Sequence, residues 1–276
     1  MAGAKSSPRR IDLGDCLVTL FSGGGLKLDG GAMFGIIPKP LWQRRAPADD
    51  ENRIPLACNC LLVEWRGAGG RCAIIETGHG AKYEAKECAI YAIDPFNWLL
   101  PNLREAGIDE QAISDVVVTH LHFDHAGGLT HAVDGRTIPT FPDAHVHVQK
   151  QEFQDARANF GIMHATYREE NFAPLDATNA WSLHVGEAAI LDNIRLVPTP
   201  GHTRGHQSVI VSGSNRTVLF AGDVMPTAAH LGAAWNMGYD LLPLDNRESK
   251  RKLLRQAAQE RWIVVLDHEP VTPVVT

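Results

Sequence analysis

The sequence predicts an α/β fold in one domain over residues 11–276, behind a flexible N-terminus at 1–10. Three observations predict it. Short apolar, β-branched runs bounded by Gly, Pro, Ser or Asn recur through both halves of the chain. Segments of helical periodicity separate them. No low-complexity linker and no fixed-period repeat divides the 276 residues.

The elements follow in order. Cys16 to Phe21 (CLVTLF) reads as a strand that stops at Ser22-Gly23-Gly24-Gly25. Leu28 to Trp42 carries Met33, Phe34, Ile36, Ile37 and Trp42 between Gly and Pro breakers, too punctuated for a helix and too apolar for a free linker, so it is expected to pack over a site. Cys58 to Trp65 and Cys72 to Glu76 form a hairpin through the glycine-rich turn Arg66 to Gly70. Phe96 to Ala106 is a helix with Pro101 near its first turn and Gly107 as its stop. Strands follow at Asp115 to Thr119 and Val146 to Val148, with a helix over Gln149 to Asn159. Asn193 to Val197, Gln207 to Ser212 and Thr217 to Ala221 are the later strands. A last helix is opened by a capping box, Asp245 with Glu248, and shows Leu253, Leu254, Ala257 and Ala258 on one face. It leads into the strand Trp262 to Leu266.

Composition narrows the function classes. Lys and Arg total 26 against 32 Asp and Glu, giving a net charge of −6, with pI 6.1 and mean hydropathy −0.15. Nucleic-acid binding needs clustered positive charge that this balance lacks. The five cysteines show no CxxC pair and read as reduced, buried thiols. No run approaches the roughly 18 apolar residues of a membrane span. No apolar stretch of about 7–15 residues follows the basic start. The expectation is a cytoplasmic protein with a small-molecule partner, no nucleic acid and no membrane.

Of thirteen histidines, several are concentrated where chemistry is expected. Thr119 to Gly128 (THLHFDHAGG) places His120, His122, Asp124 and His125 within six positions. In an extended segment residues two apart share a face, so His120 and His122 can converge on one metal ion while Asp124 and His125 turn toward a second position. Such a cluster is costly to bury without a shared cation. Later loops offer His202 in TPGHTRGH, Asp223 in FAGDV and His268 in LDHEP.

These motifs, from Cys16 to His268 and in this order, resemble the metallo-β-lactamase-fold hydrolase superfamily. The resemblance implies a four-layer αββα sandwich of two mixed sheets flanked by helices. It assigns His120, His122 and His202 to one metal, and Asp124, His125 and His268 to the other, with Asp223 bridging. Imidazole and carboxylate donors without Cys suit Zn²⁺, and leave Mn²⁺, Co²⁺ or Fe open. Two divalent ions against two carboxylates leave about two positive charges, which favours a bridging hydroxide and an oxyanion. Asp124 is the candidate proton shuttle, so Asp124 and Asp223 are the candidate catalytic residues. Glu76 either hydrogen-bonds groups behind the ligands or simply ends its strand. His206 reads as hydrogen-bonding support, and His79, His131, His145, His147, His164, His184 and His230 as surface or core residues.

Within the superfamily the sequence is most similar to acyl-homoserine lactone lactonases and methyl parathion hydrolase-like enzymes, through Asp29 to Trp42 and Met237 to Lys250. This implies ester or lactone hydrolysis, with an apolar lid from Met33, Phe34, Ile36, Trp235 and Met237. Where some lactonases carry a tyrosine shortly after the bridging Asp, this chain has Val224-Met225-Pro226-Thr227, and Tyr239 is the candidate substitute. A glyoxalase II-like thioesterase, a phosphotriesterase and a mononuclear iron sulfur dioxygenase-like oxidoreductase are the alternatives. A homodimer is compatible with the apolar loops.

Overall fold

Period-two alternation sorts the strand side chains onto opposite faces, and the sorting builds the layers. The computed structural model describes residues 9–67, 72–159 and 163–276. In chain order the first part holds β1 (Arg10–Asp12), β2 (Cys16–Asp29), α1 (Gly30–Phe34), α2 (Lys39–Trp42), β3 (Arg53–Trp65) and β4 (Cys72–Ile75). Next come α3 (Ala85–Tyr91), α4 (Leu99–Glu105), β5 (Ile113–Val117), α5 (Phe123–Ala126), β6 (Thr130–Val133), β7 (Arg136–Pro139), β8 (His145–Gln149), α6 (Lys150–Ala158) and β9 (Trp181–His184). The last part holds β10 (Ala188–Leu191), β11 (Ile194–Pro198), β12 (Gln207–Ser212), β13 (Thr217–Phe220), α7 (Pro243–Glu260), β14 (Ile263–Val265) and β15 (Val274–Val275).

Two mixed sheets result, in the orders β1-β2-β3-β4-β5-β8-β9 and β10-β11-β12-β13-β14-β15, beside a small β6-β7 ribbon. Leu61, Val63, Ala73, Ile75 and Val117 of the first sheet meet Val209, Val211, Val218, Phe220 and Val265 of the second in one buried core. Their neighbours in sequence point the other way. Leu62, Ile74 and Val116 pack with Leu99, Leu100 and Leu103 of α4, and Ile210, Leu219 and Val264 pack with Leu253 and Ala257 of α7. The layers are therefore helix, sheet, sheet, helix, as the resemblance implied.

Several expectations are corrected. The first long strand does not stop at Ser22-Gly23-Gly24-Gly25: β2 continues to Asp29 and pairs with β3 down to Asp29↔Arg53, with a bulge between Ser22 and Gly25. The glycines serve close approach instead of a turn. Gly24 has φ +111°, and a Cβ there would lie 1.9 Å from Nε2 of His79. The segment after it does form helices, short ones. The Asp29 carboxylate accepts from the Ala32 N–H at 2.8 Å and caps α1. The last helix starts at Pro243, ahead of the expected capping box, and Asp245 lies inside its first turn. Proline fits that first position because its missing N–H has no partner there anyway. A capping box does occur at α3, between Glu84 and Glu87. Strands β1, β6, β7, β9, β10 and β15 had no sequence signal strong enough to read. The β3-β4 hairpin is formed, with Leu61↔Ile75 pairing, while residues 68–70 of its turn and 1–8 of the expected flexible start lie outside the described residues. Arg10 already belongs to β1.

Candidate metal centre

The candidate residues converge because their loops leave the carboxyl ends of parallel strands. β4 runs parallel to β5, and β13 runs parallel to β14. Beyond β5 come His120 and His122, and α5 holds Asp124 and His125 in a single turn. Asp223 sits in a 3-10 turn after β13, His268 two residues beyond Leu266 after β14, and His202 in the loop joining β11 to β12. Functional groups collect where such strands end. Gly222, φ +61°, makes the turn to Asp223 without a side chain striking His206, whose Nε2 would lie 2.7 Å from a Cβ.

Donor atoms of His120, His122 and His202 lie within 4.8 Å of one another, as do those of Asp124, His125 and His268. His202 Nε2 is 3.0 Å from His122 Nδ1, and His268 Nε2 is 3.2 Å from His125 Nε2. Asp223 faces both sets. Its Oδ2 lies 3.3 Å from His202 Nε2 and 3.6 Å from His125 Nε2, while its Oδ1 lies 3.2 Å from His268 Nε2. Asp124 stands 3.6 Å from His268 Nε2 through Oδ2.

Divalent cations fit these residues. Nitrogen ligands of a tetrahedral zinc, at about 2.0–2.1 Å from the metal, lie roughly 3.3 Å apart, close to the separations seen here. His120 Nε2 is buried without a hydrogen-bond partner, a state that costs free energy unless something is bound. Burial, with the neighbouring imidazoles, holds His120 and His122 well below the ordinary histidine range, so their lone pairs are free. Burial opposes a charge on His125 and His268, yet the carboxylates led by Asp223 lift both well above that range. Burial alone would raise Asp223, but His268, His125 and His202 hold it well below the usual carboxylate range. The field at this point favours positive charge.

Groups behind the ligands fix their orientation. Asp240 Oδ1 lies 3.1 Å from His202 Nδ1, and Asp267 Oδ2 lies 3.0 Å from His125 Nδ1. The Ala57 carbonyl lies 2.6 Å from His268 Nδ1. Glu76 takes the first of its two sequence readings: its Oε1 accepts from Thr119 N–H at 2.8 Å and lies 3.6 Å from His125 Nδ1, while its φ of +66° also turns the chain. Burial raises its carboxyl, with His125 pulling the other way. His206 is support as read, its Nε2 accepting from the Asp223 N–H at 3.0 Å. The charge count needs correcting. Glu76, Asp240 and Asp267, all buried, add three carboxyl groups beside the two counted as ligands. Asp267 adjoins a candidate ligand in LDHEP and was findable there; Asp240 had no comparable signal.

Of the expected lid residues, Met33, Phe34 and Met237 lie in one cluster with Phe123 and Trp42, with Trp235 packed against it, and Ile36 stands outside it. Met33 and Phe34 are 1% and 0% exposed. Phe34 stacks on Trp42 at 5.3 Å and on His230 at 4.9 Å, so both are packed into the wall. Ile36 is 89% and Tyr239 41% exposed. Burial, with Asp29 and Asp124 adding, pushes the Tyr239 hydroxyl up to about 12.

A family model described as the metallo-beta-lactamase superfamily matches residues 53–268. A probable metallo-hydrolase of Mycobacterium tuberculosis is 29% identical over 203 residues, 62% of this chain, and the chain spans only 57% of that protein. The N-acyl homoserine lactonase AttM of Rhizobium radiobacter is 28% identical over 193 residues, 66% of this chain and 69% of its own. Among solved structures, a probable metal-dependent hydrolase from Staphylococcus aureus superposes with a TM-score of 0.86 at 28% identity, covering 94% of this chain and 91% of that one.

Proposed function

The chain belongs to the metallo-beta-lactamase superfamily, and from that premise we propose that it is a dinuclear zinc hydrolase that opens a lactone of the acyl-homoserine type. The observation that carries the reading is Asp223, which turns one oxygen toward His202 and the other toward His268. One carboxylate thereby joins two donor sets. The similarity to an N-acyl homoserine lactonase supports the lactone.

His120, His122 and His202 would hold one ion and Asp124, His125 and His268 the other. Divalent ions held there would lower the pKa of water toward about 7 and polarise an ester carbonyl. The chain's own residues supply the rest. His122, Asp124 and Asp223 retain 5–6% exposure while His120 and His125 have none, so substrate approaches from the side shared by His122 and the two carboxylates. Asp124 is then the group that carries a proton to the leaving ring oxygen. The Tyr239 hydroxyl, protonated at neutral pH, is the donor for the developing oxyanion. Met33 and Phe34 are too deeply buried to touch an acyl chain and act only as packing beneath the segment that carries the exposed Ile36.

The test is proton release on opening of short-chain and long-chain acyl-homoserine lactones by the zinc-loaded protein, with Asp223→Ala beside it. Opening that falls at least about 100-fold in the variant supports the lactonase. Absence of opening by a protein that binds two zinc ions rejects the lactone and turns the search to aryl esters, phosphotriesters and thioesters.

A further inference from the structure

Glu152, on α6, is a fully buried carboxylate that lies outside both donor sets. Three neutral donors satisfy it. Its Oε1 accepts from the Leu121 N–H at 3.0 Å and from the Tyr167 hydroxyl at 2.9 Å, and its Oε2 accepts from the Thr203 hydroxyl at 2.6 Å. Burying a carboxylate this deeply is expensive, and an apolar residue would fill the place more cheaply if packing were all that mattered.

The positions of the donors give the reason. Leu121 stands between His120 and His122, Thr203 follows His202, and the Tyr167 ring lies edge-on to His122 with centroids 4.8 Å apart. The loop carrying His202 also rests directly on α6, where a Cβ at Gly205 would come 2.2 Å from the Glu152 backbone nitrogen. None of the three donors adjoins Asp124 or His268. Those residues are held from the strands instead, by Asp267 through His125 and by Ala57.

We propose that Glu152 is the positioning residue of the three-histidine position: one carboxylate bolts together the two loops that supply His120, His122 and His202, and leaves the other position to Asp267. This rests on the two-metal reading above. Groups that orient ligands in this way typically contribute about 10–100-fold to metal affinity. Loss of Glu152 should therefore weaken one ion selectively.

The experiment measures zinc content and zinc affinity by chelator competition, with absorption of the cobalt-substituted protein as a second readout. Wild type should hold two equivalents, and Glu152→Gln, which keeps the shape, should hold one as before and the second at least 10-fold more weakly. In a His268→Ala background Glu152→Gln should weaken the remaining equivalent by the same factor of at least 10, and in a His120→Ala background it should leave its affinity unchanged. Should Glu152→Gln fail to fold, Thr203→Ala removes one bond on the loop side and should weaken the same position. A variant that holds both ions with wild-type affinity, or loses both equally, overturns the proposal. A wild-type protein that binds a single equivalent overturns the two-metal reading and the proposal with it.

Discussion

Lys82 shows how a single side chain supports the site from outside it. Its ammonium donates to the carbonyls of Gly127 and Thr130 at 2.5 and 2.6 Å, just beyond the α5 turn that carries Asp124 and His125. Burial lowers it to about 7, with Arg168 adding and Glu170 opposing. The folded pKa lies below the unfolded value, so the unfolded chain binds the proton more tightly. Stability should then rise with pH between about 7 and 10.5, by about 2 kcal/mol from pH 7 to 9. Denaturant midpoints at the two pH values check this, with Lys82→Met expected to lack that part of the slope. A neutral amine keeps both donors, so the two bonds survive the titration. The same scale explains what the sequence could and could not disclose about the site. His120, His122, Asp124 and His125 share one short segment, and His202, Asp223 and His268 sit in loops with their own signatures. Asp240 reaches His202 across 38 residues and Glu152 reaches Thr203 across 51. Such partners are chosen by tertiary packing, and no local spacing marks them.

At the level of elements, strands that are buried on both faces were legible, because β12 and β13 present unbroken apolar runs whose register follows from the pleat. Short edge strands were not, since β1 and β15 span three and two residues and derive their order from the neighbour they pair with. The glycine run in β2 misled for a physical reason: turn propensity is worth little against a ladder that continues on both sides of a bulge. Helix α1 is the converse case. It has five residues, too few to form alone, and it depends on its cap and on the packing of Phe34. Asp29 caps it and also accepts from Asn52 at 2.7 Å. Asp29→Ala should cost about 1 kcal/mol, read as a lower denaturant midpoint, and should raise KM more than it lowers kcat if this segment forms the substrate wall.

For the whole molecule, the two sheets meet in one core while their strand ends meet in one metal centre, so stability and metal binding are linked. Glu76, Asp124, Asp223, Asp240 and Asp267 bring acidic groups together in a buried space, where unneutralised they repel. Removing metal with a chelator should lower Tm by several degrees, and adding zinc back should restore it, because a ligand that binds only the folded state stabilises it by mass action. Thermal scans with and without chelator decide this. Among the described residues no helix is long and apolar enough to cross a membrane.

If Asp223 joins two metal positions, anomalous diffraction at the zinc edge from crystals of the zinc-loaded protein should show two peaks about 3.5–4 Å apart, one among His120, His122 and His202 and one among Asp124, His125 and His268, with Asp223 between them. A single peak, or two peaks of which Asp223 touches only one, would contradict it.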